Sequence, residues 1–376
     1  MRSLLCITLV CWIAVVSSST IRQTPLYEDF STGGLSPSVW KIGKKVWGGY
    51  ADQAKTIPSS GGVVPENVKV VKRNKAAASG SKYYLRLEAH GNKYQGNVYG
   101  IDFEGERRTD EEGKKRVGAV IATQDYFASG AYEVRAKLTR YAPDQHHGGG
   151  VCNAFWTFSY QSFPQGDPQW KDTPESHGGD YVKNHEIDIE IPGGRKISFN
   201  YSLLTYWQGV NGDSRGKKPY GLYQGQQHGY DEFISIQKDN GKDLRRSSLT
   251  GPDGRTGWHV FRFEWHTVNG TRHIRYVFDG VEVHDSKNDD KLKGPLGTGT
   301  TGDFYVPFVG SRFWLGVWFP YSFQNHWTGE PEFDVDAMLV DYVKIEPYNE
   351  AGDVVPHETG AERGWAATSE YPKRPQ

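Results

Sequence analysis

The sequence predicts an all-β fold built as two packed sheets. Apolar and polar residues alternate with period two along much of the chain, and no window of a dozen residues holds a period of 3.6. Trp, Tyr and Phe number 12, 22 and 17, and Gly 45, among 376 residues with two Met; that mix suits strands and turns better than helices. Around a dozen strand segments follow, and their apolar faces need a second layer to cover them. Neither an internal repeat nor a Pro- or Ser-rich linker divides the middle of the chain, so residues 20–348 read as one domain. Lys plus Arg total 44 and Asp plus Glu 45, a balance that offers no field for a nucleic-acid backbone or an anionic membrane.

Residues 1–19 stand apart. Arg2 precedes an apolar run from Leu4 to Val16 and a small polar stretch from Ser17, the order of a secretory signal peptide. That run is too short for a hydrocarbon core, which takes about twenty residues, so a secreted, extracellular protein with no membrane attachment after signal removal is expected. Cys6 and Cys11 would leave with the signal, and Cys152 alone cannot form an internal disulfide, which puts the burden of stability on the core. Two sequons, at Asn200 and Asn269, fit a glycoprotein of the secretory route.

Strands are expected, in order, at Lys69 to Val71, Tyr83 to His90, Val117 to Thr123, Ala131 to Leu138, Val151 to Phe158, Glu186 to Ile191 and Ile197 to Trp207. Further strands follow at Trp258 to Trp265, Arg272 to Phe278, Val281 to His284, Arg312 to Phe319 and Ala337 to Glu346. In Ala131 to Leu138, Tyr132, Val134, Ala136 and Leu138 alternate with Glu133, Arg135 and Lys137, the pattern of a strand with one wet side. Asp279-Gly280 closes the clearest hairpin, because an Asp-Gly pair accepts φ > 0 at both turn positions. Long connections are read at Asp102 to Arg116, Gln161 to His185, Gln208 to Gly257 and Ser286 to Ser311. Residues 349–376, rich in Glu, Pro, Gly and Lys, read as a loosely held tail.

The segment His185 to Ile191 reads His-Glu-Ile-Asp-Ile-Glu-Ile. Strand alternation sends the three isoleucines to one face and Glu186, Asp188 and Glu190 to the other. Acidic residues are depleted in strands and crowded carboxylates resist ionising together, so the group should titrate as a coupled unit with at least one pKa raised. A solvated strand face would mix in cations, and here only Lys183 and His185 flank the run. A helical zinc motif needs a second His four positions after His185, where Ile189 stands. His146-His147, with no spaced third ligand, read as loop residues. Paired carboxylates without a metal are suited to glycoside cleavage, one as nucleophile and the other as proton donor.

Glu186-Ile-Asp-Ile-Glu190 resembles the catalytic signature of glycoside hydrolase family 16, a set of endo-acting retaining β-glycanases and transglycosylases. Thr123 to Leu138, Ala154-Phe155-Trp156, Trp258 to Trp265, Tyr276 to Val283, Leu315 to Phe319 and Val340 to Ile345 are similar to family strands in the family's order. The resemblance implies a jelly-roll β-sandwich of two curved antiparallel sheets with a concave substrate cleft. It also implies Glu186 as nucleophile, Asp188 as its electrostatic assistant and Glu190 as general acid/base. A polysaccharide substrate, no cofactor for catalysis and a monomer are expected. The spacing without an extra residue before the last Glu is similar to lichenases and xyloglucan-active members, which favours a β-1,4-containing glucan. Transglycosylation on the same site and non-catalytic carbohydrate binding are the alternatives.

Sugars present apolar C–H faces to flat rings, so Trp156, Trp207 and Trp318 are the candidate stacking residues, with Asn200 and Tyr201 beside the catalytic strand as polar contacts. Asp341, within Val-Asp-Tyr-Val-Lys-Ile, resembles the position where some family members hold a structural Ca²⁺.

Overall fold

The computed structural model describes residues 20–45, 60–73, 78–91, 94, 96, 98–101, 107–110, 116–139, 151–163, 165–168, 181–192, 201–211, 229–235, 257–288, 306–319, 331, 333–357 and 364–372. Among them are eighteen strands and only short 3-10 turns. The strands are β1 (Leu26–Glu28), β2 (Trp40–Ile42), β3 (Ser60–Val63), β4 (Val68–Lys72), β5 (Tyr83–His90) and β6 (Val98–Ile101). Then come β7 (Arg107–Asp110), β8 (Arg116–Thr123), β9 (Gly130–Lys137), β10 (Cys152–Phe163), β11 (Tyr181–Pro192) and β12 (Tyr201–Asn211). Last are β13 (Gly229–Ser235), β14 (His259–His266), β15 (His273–Phe278), β16 (Val281–Asp285), β17 (Arg312–Trp318) and β18 (Val335–Pro347).

One continuous hydrogen-bonded path runs β13-β12-β11-β10-β17-β8-β5-β18-β9-β14-β15-β16. It turns a corner where β8 meets β5 through the single pair Val117 and His90, and so doubles over into two layers. Rings from the two layers meet across the interior: Phe155 of β10 stacks on Phe261 of β14 at 5.0 Å, and Phe313 of β17 lies 5.6 Å from Tyr132 of β9. Such pairs add about 0.5–1.5 kcal/mol each beyond the area they bury. Ile187, Ile189 and Ile191 of β11 enter this same core, all at 3% exposure or less.

Asp279 and Gly280 take φ of 47° and 77°, the geometry the tight hairpin needs, and β15 pairs β16 across them. Strand pairing also reaches segments that the pattern assigns to loops. β7 lies inside the charged run after Asp102 and β13 inside the stretch after Gln208, where it pairs with β12.

After Tyr348 the described residues bond to the body of the fold. Asp353 accepts from Ser129 and Thr267, with the Thr267 hydroxyl 2.6 Å away, and Glu350 accepts from the Thr267 amide at 2.6 Å and pairs with His266 at 2.7 Å. Farther on, the Lys44 amide donates to Gly364 O and the Ala366 amide to Ile42 O, which lays residues 364–366 along the edge of β2. Residues 1–19 and Asn200 lie outside the described residues, while Asn269 occupies an exposed turn.

Candidate active site

The layer formed by β12, β11, β10, β17 and β8 shows its other face away from the core, and the acidic residues of β11 stand there. Because the pairing is antiparallel and in register, side chains on this face line up in rows across the strands. Glu186 lies opposite Phe158 of β10 and Trp207 of β12. Asp188 lies opposite Trp156 and Thr205, and Trp156 in turn opposite Trp314 of β17. Glu190 lies opposite Ala154 and Leu203, and Ala154 opposite Gly316. Cys152 faces Trp318 at the next position.

Strand alternation therefore places the three carboxylates on one surface, as the sequence predicts. Glu186 and Glu190 are half-buried and Asp188, between them, is 6% exposed. The small residues Ala154 and Gly316 in the Glu190 row leave a lower strip between the indoles of Trp156 and Trp314 on one side and Trp318 on the other. A side chain at 316 has no room in any case, since a Cβ there would sit 2.5 Å from Ala119 O of β8.

Of the expected stacking residues, Trp156 and Trp318 share the carboxylate face. Trp156 is 4% exposed and stacks on Trp314 with ring centroids 5.7 Å apart and 19° between planes, whereas Trp318 is half-buried. Trp207 and Tyr201 are placed by the backbone of β12, Trp207 opposite Glu186 and Tyr201 opposite Ser235 of β13.

Three participants were missed by the sequence reading. Trp314 continues the ring of Trp156 on the next strand, and the alternation of Arg312 to Trp318 could have placed it. The Cys152 thiol, fully buried, lies 3.8 Å from Glu190 Oε1; the same alternation puts residue 152 on the face of 154 and 156. Trp365 packs on Trp314 from the C-terminal segment, and no local pattern announces it.

Asp341 is not part of this face, and its expected calcium role is corrected. The β18–β9 register slips between Val340 and Tyr342, and this bulge leaves Asp341 fully buried. One carboxylate oxygen meets Arg73 at 2.8 Å and the Ser79 hydroxyl at 2.6 Å, and the other meets Arg135. Two guanidiniums occupy the positions a hard cation would need, and a divalent ion beside them would be repelled. Among the described residues no group of three or more His, Cys, Asp or Glu could hold a metal.

The chain matches no protein-family model, and no curated protein is similar to it in sequence. Solved structures do show a likeness. A β-1,3-1,4-glucanase (lichenase) from a mouse hindgut metagenome is 16% identical, covers 86% of this chain and 99% of its own, and has a TM-score of 0.45. The β-glucanase of Bacillus licheniformis is 14% identical, with 86% and 97% covered and a TM-score of 0.46. The catalytic domain of an endo-1,3-β-glucanase (laminarinase) from Thermotoga petrophila is 19% identical, with 86% and 97% covered and a TM-score of 0.45. At these scores the likenesses carry neither substrate nor mechanism, which rest on the residues of the chain itself.

Proposed function

We propose that this protein is a secreted, endo-acting β-glycanase of the family 16 type, a β-glucanase that cleaves a polysaccharide by double displacement with retention. The observation that carries the reading is the row order on the outer face: Glu186, Asp188 and Glu190 on one surface, flanked on β10 and β17 by Phe158, Trp156, Trp314 and Trp318. A glycan laid across the strands would pass the carboxylates with its C–H faces toward aromatic rings.

In this mechanism Glu186 attacks the anomeric carbon and Glu190 donates a proton to the leaving oxygen. The bond from carbon to that oxygen breaks as the glycosyl ester on Glu186 forms. Glu190, now a carboxylate, takes a proton from water, and the water oxygen displaces Glu186 with a second inversion. Asp188, the most buried of the three, stands between them and restrains the charge of its neighbours through hydrogen bonding and repulsion. A retaining pair works with its carboxyl groups about 5–5.5 Å apart, so the reading requires the side chains of Glu186 and Glu190 to lean toward each other over Asp188. The exposed turn at Asn269 supports glycosylation on the secretory route.

The test is product release from lichenan, laminarin, xyloglucan, agar, carrageenan and chitin, with Glu186→Ala run beside the parent and the first-formed anomer followed by NMR. Cleavage by the parent with retained configuration, and none by the variant, is expected. Inverted product removes the nucleophile role, and equal activity in Glu186→Ala removes the site. Transfer of the cleaved chain to added sugar acceptors, in place of water, makes the protein a transglycosylase.

A further inference from the structure

We infer that the C-terminal segment builds a distal glycan subsite from Trp365, Lys41 and Lys45, which holds a sugar unit of the same chain that is cut at the carboxylates. The inference rests on the glycanase reading and extends it to a segment nothing assigns to the site.

Four observations carry it. Trp365 bridges Gly43 at the edge of β2, and its ring reaches back over the outer face to lie 4.9 Å from that of Trp314. Trp314 stacks in turn on Trp156, which is paired with Asp188. Three indoles thus form a line that leaves the carboxylates across the strands, the direction a linear polymer would follow. Second, Trp365 is half-buried at the end of that line, whereas Trp156 and Trp314 beneath are 4% and 5% exposed.

Third, two ammonium groups attend the ring. Lys41 Nζ lies over it, 5.1 Å from the centroid, and Lys45 Nζ lies over both indoles, 5.2 Å from the Trp365 centroid and 5.0 Å from that of Trp314. An indole with two strong N–H donors over it suits a hydroxyl-rich ring with apolar C–H faces. Fourth, the indole carries a cost that its packing leaves in place. The Trp365 indole nitrogen is buried without a hydrogen-bond partner, a condition that costs about 1–3 kcal/mol.

The segment is shaped for the purpose by Gly364, which has φ of 84° and where a Cβ would sit 2.8 Å from the Lys45 side chain. Trp314 is two strands from β11, roughly 10 Å at about 4.8 Å per strand. The Trp365 ring is therefore roughly 10 to 15 Å from the carboxylates, a span of a few pyranose units.

The experiment compares kcat and KM of the parent, Trp365→Ala and Trp365→Phe on an oligosaccharide ladder of the polysaccharide found to be cleaved. Thermal melting of all three confirms folding. Stacking of one ring contributes about 0.5–1.5 kcal/mol, so Trp365→Ala should lose about 2- to 10-fold in kcat/KM on the longest oligosaccharides, through KM. The loss should shrink as the chain shortens, and Trp365→Phe should restore most of it. A loss equal at every length marks a structural role and overturns the subsite, as does no loss at all. A parent inactive on every glycan overturns the glycanase reading instead. Affinity electrophoresis of parent and Trp365→Ala in the same polysaccharides then decides the subsite separately: retardation weakened in the variant supports it, and equal mobility overturns it.

Discussion

Replacing Asp341 by asparagine tests whether ion pairs around a fully buried carboxylate hold the bulge in β18. The parent carboxylate is bonded to Arg73, Arg135 and Ser79, and the side chain of Arg73 is only 9% exposed. Asparagine keeps the volume but removes the charge and turns an N–H toward one guanidinium. Two cations then remain where solvent reaches poorly. Trp258 lies against both, with the guanidinium carbons of Arg73 and Arg135 at 5.0 Å and 5.1 Å from its ring centroid, and cannot replace an anion. Removing one partner from a buried pair costs about 3–5 kcal/mol. Unfolding entropy near the midpoint is about 2.1 cal/mol/K per residue, or about 0.8 kcal/mol/K over 376 residues, so the melting temperature should fall by about 4 to 6 °C. The assay is thermal unfolding followed by circular dichroism for parent and variant, each with EDTA and with added CaCl₂. Neither addition should move the parent, because the guanidiniums occupy the coordination positions. A variant that melts with the parent refutes the role of these ion pairs, and a parent whose melting temperature rises in calcium refutes the exclusion of the metal.

At the catalytic face, Glu186→Ala and Glu190→Ala should each remove nearly all hydrolysis while the folded spectrum is kept, and Asp188→Asn should lose less; proton transfer alone is worth about 10²- to 10⁴-fold. Burial works to raise the Glu88 pKa, but hydrogen bonds from His90, Lys69 and Arg86 outweigh it and bring it to about 2 from 4.5. A lowered carboxylate pKa stabilises above 4.5, and that stability is lost as the pH falls through about 2. With Lys69 half in solvent, the contribution is about 1–2 kcal/mol. In urea titrations, Glu88→Gln should be weaker than the parent at pH 7, and the difference should close toward pH 2. Gly316→Ala must push its new methyl against Ala119 O at 2.5 Å and the Val120 methyl at 2.6 Å, and should lower the urea midpoint by the equivalent of about 1–3 kcal/mol.

What the sequence made legible was local. Alternation located β5 at Tyr83–His90 to the residue, and Asp279-Gly280 located its hairpin, because both signals lie within a few neighbouring residues. The acidic face of β11 was legible for the same reason. The place of β17 was not, since β10 and β17 lie more than a hundred residues apart in the chain, and only their pairing puts Trp314 beside Trp156. β2 and β3, of three and four residues, are too short to show a period and exist by pairing with β8. The surroundings of Asp341 were not legible either, because a bulge changes the phase of the alternation there. Met338 and Val340 face inward before it, and Val343 and Ile345 after it; the arginines that neutralise it lie 268 and 206 residues away in sequence.

The same separation of faces explains how a strand can carry three acids and still be a core strand. On β11 the isoleucines supply the burial, each about 1.5–3 kcal/mol, and they do so on the side that the carboxylates never touch. The price of crowding Glu186, Asp188 and Glu190 is met by packing on the opposite face and on the other layer, where Phe155, Phe261, Phe313 and Tyr132 interlock. The C-terminal segment extends this logic to the sheet edge. Its hydrogen bonds to Ile42 and Lys44 cover an otherwise open strand and at the same time carry Trp365 onto the outer face. Edge protection accounts for the backbone bonds of that segment but not for its indole, since any residue whose amide pairs with β2 would close the edge equally well. A half-buried tryptophan at the end of a line of indoles that begins at Asp188 is accounted for by a ligand that runs along the same line.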